Sequence, residues 1–142
     1  MIRKYRESEI PELIIVWEKA VAIAHPFLTD EFNAQVKKAM IEVYLPGSDT
    51  WVYEKSGKAV GFISMLKNEI GGFFIHPKYH GKGIGTSMIQ YISQFHEVLE
   101  VEVFAENRIG RPFYEKYGFE VIQEFIHEGT GQKVLRMRKN KT

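Results

Sequence analysis

Residues 80–86 read His80-Gly81-Lys82-Gly83-Ile84-Gly85-Thr86 and place three alternating glycines at a point where the apolar period changes. Before them, Thr50–Lys55, Ala59–Lys67 and Glu69–Ile75 alternate as strands do, with Ser56-Gly57 as a hairpin turn between the first two. After them, Ile84, Met88, Ile92 and Phe95 recur at helical spacing, predicting a helix over 83–95 with these four inward. A strand feeding a helix through glycines restricts the architecture. It also leaves the first-turn amides of the helix free, at its positive dipole end, for an anion. Glycine lets another group approach the backbone closely, so the loop can cradle a phosphate or pyrophosphate, with Lys82 adding charge. A tight turn with no ligand fits the same residues. Two rivals are excluded: the dinucleotide fingerprint needs glycine where Thr86 stands, and no P-loop string occurs.

The remaining elements alternate. Ile2–Tyr5 is a short strand. A helix follows to about Ala24, with Ser8 as its expected cap and Ile10, Leu13, Ile14, Trp17 and Val21 inward, stopped by His25-Pro26. Thr29 or Asp30 caps a second helix with Phe32, Val36, Met40 and Val43 inward, ended by Pro46-Gly47. The Gly71-Gly72 pair predicts a bulge or a close approach in its strand. Leu99–Phe104 is a strand, Arg111–Tyr117 a short helix ended by Gly118, and Glu120–His127 and Gln132–Lys139 a closing hairpin. This order predicts an α/β chain with a central mixed sheet and helices on its faces, in one domain over 1–142. A ligand belongs beyond the carboxyl ends of the strands, near 75–85.

Composition closes off other classes. There are 19 basic and 18 acidic residues and no long basic block, which argues against a nucleic-acid reader or membrane-surface binder. With no cysteine, disulfides and thiolate chemistry are excluded, and a cytoplasmic location is expected. No stretch approaches the ~20 apolar residues of a membrane span. His76 and His80 are separated by a proline in a loop, so no metal site is expected.

A second motif, Asn107…Phe113-Tyr114-Glu115-Lys116-Tyr117-Gly118-Phe119, follows the next strand. By itself it is a short amphipathic helix with Phe113 and Phe119 toward a core. Together with His76-Pro77-Lys78-Tyr79-His80-Gly81-Lys82-Gly83-Ile84-Gly85, it resembles the GNAT superfamily of acetyl-coenzyme A-dependent N-acetyltransferases, small single-domain bacterial type. The resemblance spans nearly the whole chain and implies a sheet of six to seven strands with about four helices.

It further implies acetyl-CoA as co-substrate and a primary amine as acceptor, joined in a ternary complex by a monomer or homodimer. Gly81, Lys82, Gly83, Ile84, Gly85 and Thr86 would hold the pyrophosphate, and Phe73, Phe74 and Ile75 would pair with the pantetheine arm. Asn107 would bond that arm or its own loop, and Tyr114 would face the sulfur. Two departures stand out: His80 replaces the usual Gln or Arg, and Gly110 replaces a common Ala. Pro112 cannot lie deep in a helix, so the last helix must begin near Gly110 or Arg111.

The acceptor amine must lose a proton, and Glu102 is the leading base, ahead of Glu69 and His76. Glu102 fits equally well as a surface residue of an alternating strand. Amides near Phe74–Ile75 can face a developing oxyanion. His25 and Phe27 are candidates for the acceptor pocket. A non-catalytic acetyl-CoA sensor and an unrelated phosphate-binding domain are the competing readings.

Overall fold

A computed structural model describes residues 1–141. Seven strands form one mixed sheet in the order β1-β2-β3-β4-β5-β7-β6. They are β1 (Ile2–Lys4), β2 (Asp49–Lys55), β3 (Lys58–Leu66), β4 (Glu69–Ile75), β5 (Val98–Phe104), β6 (Glu120–Ile126) and β7 (Lys133–Asn140). The helices are α1 (Ile10–Ala24), α2 (Asp30–Ala39), α3 (Ile84–Ser93) and α4 (Gly110–Tyr117). Helix α2 does not stop at Ala39 but passes through a π-helical stretch at Met40–Tyr44 into a final turn at Leu45–Gly47.

The central strand β3 is buried from Ala59 to Met65 because both faces of the sheet are covered. Phe62 points to one side and packs with Leu13, Ile14, Trp17 and Val21 of α1. Ile63 points to the other and packs with Met88, Ile89 and Ile92 of α3 and with Val101, Leu135 and Met137. Phe62 and Ile63 are 0% exposed, so truncating Phe62 to alanine should cost about 3–5 kcal/mol.

Several local expectations change. Ser8 does not cap α1; the Glu9 carboxylate accepts from the Arg6 amide at 2.8 Å and is itself held by Arg3. Thr29 does cap α2, accepting from the Phe32 amide. Phe95 lies beyond α3 and is 57% exposed, stacked on Trp51 rather than turned inward; Ile89 takes the inward place. Val43 is 58% exposed because the π-helical stretch shifts the phase of the helix and turns Met40 in and Val43 out.

The feature that positions the site is a split in the sheet. Parallel strands β4 and β5 pair only at Glu69↔Glu100 and Ile70↔Val101, then diverge. Gly71 is the extra residue of a bulge, since Ser64 pairs with Gly72 and Met65 with Ile70. Beyond it, β4 stays on β3 but has no partner on its other edge.

Candidate active site

His76 donates its amide to the Val60 carbonyl at 2.9 Å. Antiparallel alternation then turns the backbone groups of Phe73 and Ile75 away from β3, toward the split. The Ile75 carbonyl is already taken by His80 Nε2 at 2.8 Å. His80 thus clamps the loop to the end of β4, a role nothing in its motif position announced.

Next to this edge comes the glycine loop. Gly81 and Gly83 have φ of +75° and +80°, and a Cβ on either would meet nothing within 4 Å. Gly83 is the N-cap of α3 with no side chain closing it, so the amides that follow face outward unpaired with a cap. Gly85 serves differently: a Cβ there would lie 3.1 Å from Phe113 and 3.3 Å from Ile75, so it lets α3 and α4 pack. Ile84 is core, and only its backbone is available; Lys82 and Thr86 are exposed.

A cleft of about 480 Å³ runs through the split. Phe73 and Phe74 line one wall, Glu102, Phe104 and Asn107 the other, and Tyr114, His25 and His127 also reach it. A shallower depression of about 610 Å³ between α1 and α2 meets the cleft at His25 and lacks the motif residues. Tyr114 sits one turn into α4, 6% exposed, among Phe73, Phe113 and Phe119. Burial pushes its phenol well above the usual value near 10.

Asn107 is 8% exposed and builds the start of α4. Its Oδ1 accepts from the amides of Ile109 at 3.0 Å and Gly110 at 2.8 Å. The helix therefore begins at Gly110, as Pro112 requires. Its Nδ2 lies 3.2 Å from His25 Nε2.

Glu102 and Glu69 both line the cleft, on the face of β5 and β4 opposite Val101. Arg136 of β7 reaches both, at 2.8 Å and 3.5 Å, and also Glu100. These carboxylates push the Arg136 guanidinium up, and the two arginines Arg136 and Arg138 hold the Glu100 carboxyl below the ordinary range. His76 lies outside the cleft lining, its Nδ1 accepting from the Lys78 amide. Phe27 backs His25 and Phe104 edge-on instead of facing the cleft. Arg136 was not legible from the sequence, because its role depends on cross-strand neighbours; His127 lies in the loop near 126–132 that the sequence places opposite His25, and it packs edge-on against Phe32 and Phe104.

The acetyltransferase (GNAT) domain model matches residues 4–141. The chain belongs to this family. The domain is similar to the peptidyl-lysine N-acetyltransferase YiaC of Escherichia coli (strain K12), 31% identical over 86% of this chain and 84% of that protein. It is also similar to the peptidyl-lysine N-acetyltransferase YjaB of Salmonella typhimurium, 29% identical over 84% of this chain and 83% of the relative. Against the solution structure of apo YjaB from Escherichia coli the TM-score is 0.86 at 26% identity, covering 97% of this chain and 95% of the other. The GNAT fold implies acetyl-CoA as its acetyl donor. Among the described residues no group of three His, Cys, Asp or Glu could hold a metal ion, and no helix is long and apolar enough to cross a membrane.

Proposed function

We propose that this GNAT domain transfers the acetyl group of acetyl-CoA to a primary amine, and that the amine is a lysine side chain of a protein. The carrying observation is one cleft that joins an open strand edge, a buried phenol and two carboxylates. The peptidyl-lysine specificity in the names of two relatives supports the choice of acceptor.

The chain's groups fit acetyl-CoA. The open amides after Gly83 and the space above Gly81 and Gly83 suit a pyrophosphate, with Lys82 beside them. The free Phe73 carbonyl and Ile75 amide suit an extended amide-bearing arm, which they would bind as an added strand. Bound acetyl-CoA supplies the activated acyl group.

The chain's own residues then do three things. The Phe73 amide, pointing into the split beside Tyr114, can donate to the carbonyl oxygen as negative charge grows on it. Glu102, with Glu69 as its neighbour across Arg136, attracts the incoming ammonium and takes its proton directly or through water. Tyr114 donates a hydrogen bond to the departing sulfur. A thiol near ~8.5 is already a stronger acid than a free phenol near ~10, a gap of about 2 kcal/mol. Burial widens that gap, so Tyr114 keeps its proton and stabilises the thiolate by donating a hydrogen bond.

The test is thiol release from acetyl-CoA with a lysine-containing peptide, for the wild type, Tyr114→Phe and Glu102→Gln. A hydrogen bond to a charged group is worth about 1.5–3 kcal/mol, so Tyr114→Phe should lower kcat about 10- to 100-fold. An unchanged kcat removes Tyr114 from the chemistry. Acetyl-CoA binding with no thiol release for any amine would instead make the domain a sensor.

A further inference from the structure

The geometry points to His25 as a positioning residue for acetyl transfer: it holds Asn107, and through Asn107 the start of α4 and the place of Tyr114. This rests on the reading of Tyr114 given above.

The Asn107 carboxamide fixes the direction of this contact. Its Oδ1 accepts two backbone N–H groups, from Ile109 and Gly110. Only the nitrogen of the carboxamide is left to face His25, and an amide nitrogen can only donate. His25 Nε2, at 3.2 Å, must therefore accept. The ring is neutral, with its proton on Nδ1. Its one basic lone pair is already used, so His25 is no proton acceptor for the amine despite lining the cleft.

His25 is well fixed for this task. It is the C-cap of α1, its amide donating to the Val21 carbonyl at 2.8 Å, and Pro26 follows. Phe104 and Phe27 hold the ring edge-on at 5.2 Å and 5.7 Å. The contact joins residues 82 apart in the chain and ties the end of α1 to the first turn of α4.

Gly110 provides an independent observation. A Cβ on Gly110 would lie 2.7 Å from Asn107 Nδ2. The carboxamide cannot swing away without releasing two amides or His25. The glycine at this position, where the resembling pattern commonly has alanine, thus leaves room for the amide to turn toward His25. His25, Asn107 and Gly110 form one unit.

Two measurements test this. The first needs no acceptor: nitrogen-15 spectra of the labelled histidine rings, near neutral pH, report the tautomer. A protonated Nδ1 and bare Nε2 at His25 is expected, and the opposite tautomer overturns the assignment even if no amine is ever acetylated. The second compares His25→Phe, which keeps an aromatic ring but has no acceptor, with His25→Gln, whose carbonyl can accept from Asn107. His25→Phe and Gly110→Ala should each lower kcat about tenfold, about 1.4 kcal/mol in the barrier, with KM for acetyl-CoA changed less than about threefold. His25→Gln should restore most of kcat. Equal losses in the phenylalanine and glutamine variants, or no loss in either, would overturn the proposal. A wild type without turnover would sink the transfer reading, while the tautomer result would still decide the link between His25 and Asn107.

Discussion

Mild acid should destabilise this protein through His25, and the size can be worked out. Burial lowers the His25 pKa from 6.5 to about 4. The unfolded chain therefore binds the proton first as pH falls, and folding stability rises with pH across the window between those values. The contribution is complete above about pH 6.5 and is lost on acidification toward about pH 4. Between about pH 7 and about pH 4.5 the loss is about 2 kcal/mol, or a fall in Tm of several degrees at this chain length.

Other groups around the ring are Glu102 on β5, His127 in the β6–β7 turn, and Tyr114 on α4. Glu18 and Lys37, with Asp30, line the depression outside. Glu9 and Glu100, held low by arginines, also lose stability in acid. Their share is common to the wild type and to His25→Gln, so it cancels in the comparison. The assay is urea unfolding of both proteins at the two pH values. The wild type should lose about 2 kcal/mol more than the variant. Parallel losses would refute the claim that this ring is folded in its neutral form.

Further outcomes are expected elsewhere. Gly85→Ala should weaken acetyl-CoA binding and cost about 1–2 kcal/mol, since its Cβ would press on Phe113 at 3.1 Å; ligand titration and thermal unfolding check both. Arg136→Met should leave Glu69 and Glu102 without their arginine beside a Glu100 still held by Arg138, loosen their placement in the cleft and raise KM for a lysine peptide. Arg136→Lys should recover little, because one ammonium cannot reach three carboxylates as the guanidinium does. Thr29→Ala should cost about 1 kcal/mol and loosen the start of α2, read as faster amide exchange from Phe32 onward.

How much of this was legible beforehand depended on distance along the chain. The strands, the Gly71 bulge, the turn at Ser56-Gly57 and the start of α4 at Gly110 follow from residues close in sequence, and each lies where its local pattern puts it. The cap of α1 does not: Ser8 has the right chemistry but lies inside a 3-10 turn at Glu7–Glu9, which Glu9 closes back onto the Arg6 amide while Arg3 holds it, and α1 starts without a side-chain cap. Phe95 keeps the helical period yet falls two residues past the helix end at Ser93, where Trp51 offers a surface partner. Val43 fails because a π-helical stretch changes the period that the reading assumed. At the site, the loop and Tyr114 were legible as motif positions. The arginine that gathers the carboxylates was not, and His25 was legible as a pocket candidate but not as the residue that holds Asn107, since both contacts join residues far apart in the chain.

The unpaired edge at Gly71–Ile75 has a consequence for solubility. Its sequence, Gly-Gly-Phe-Phe-Ile, is uncharged and lacks proline, which on an outer rim would recruit strands from other molecules. Here β5 and β7 stand on its far side, so an invading chain has no open flank to approach. The outermost strands are instead β1, only three residues long and carrying Arg3 and Lys4, and β6, carrying Glu120 and Glu124 as charged guards. Damage that pries β5 from Glu69 and Ile70 would therefore release an adhesive segment, and aggregation should accompany loss of the cleft.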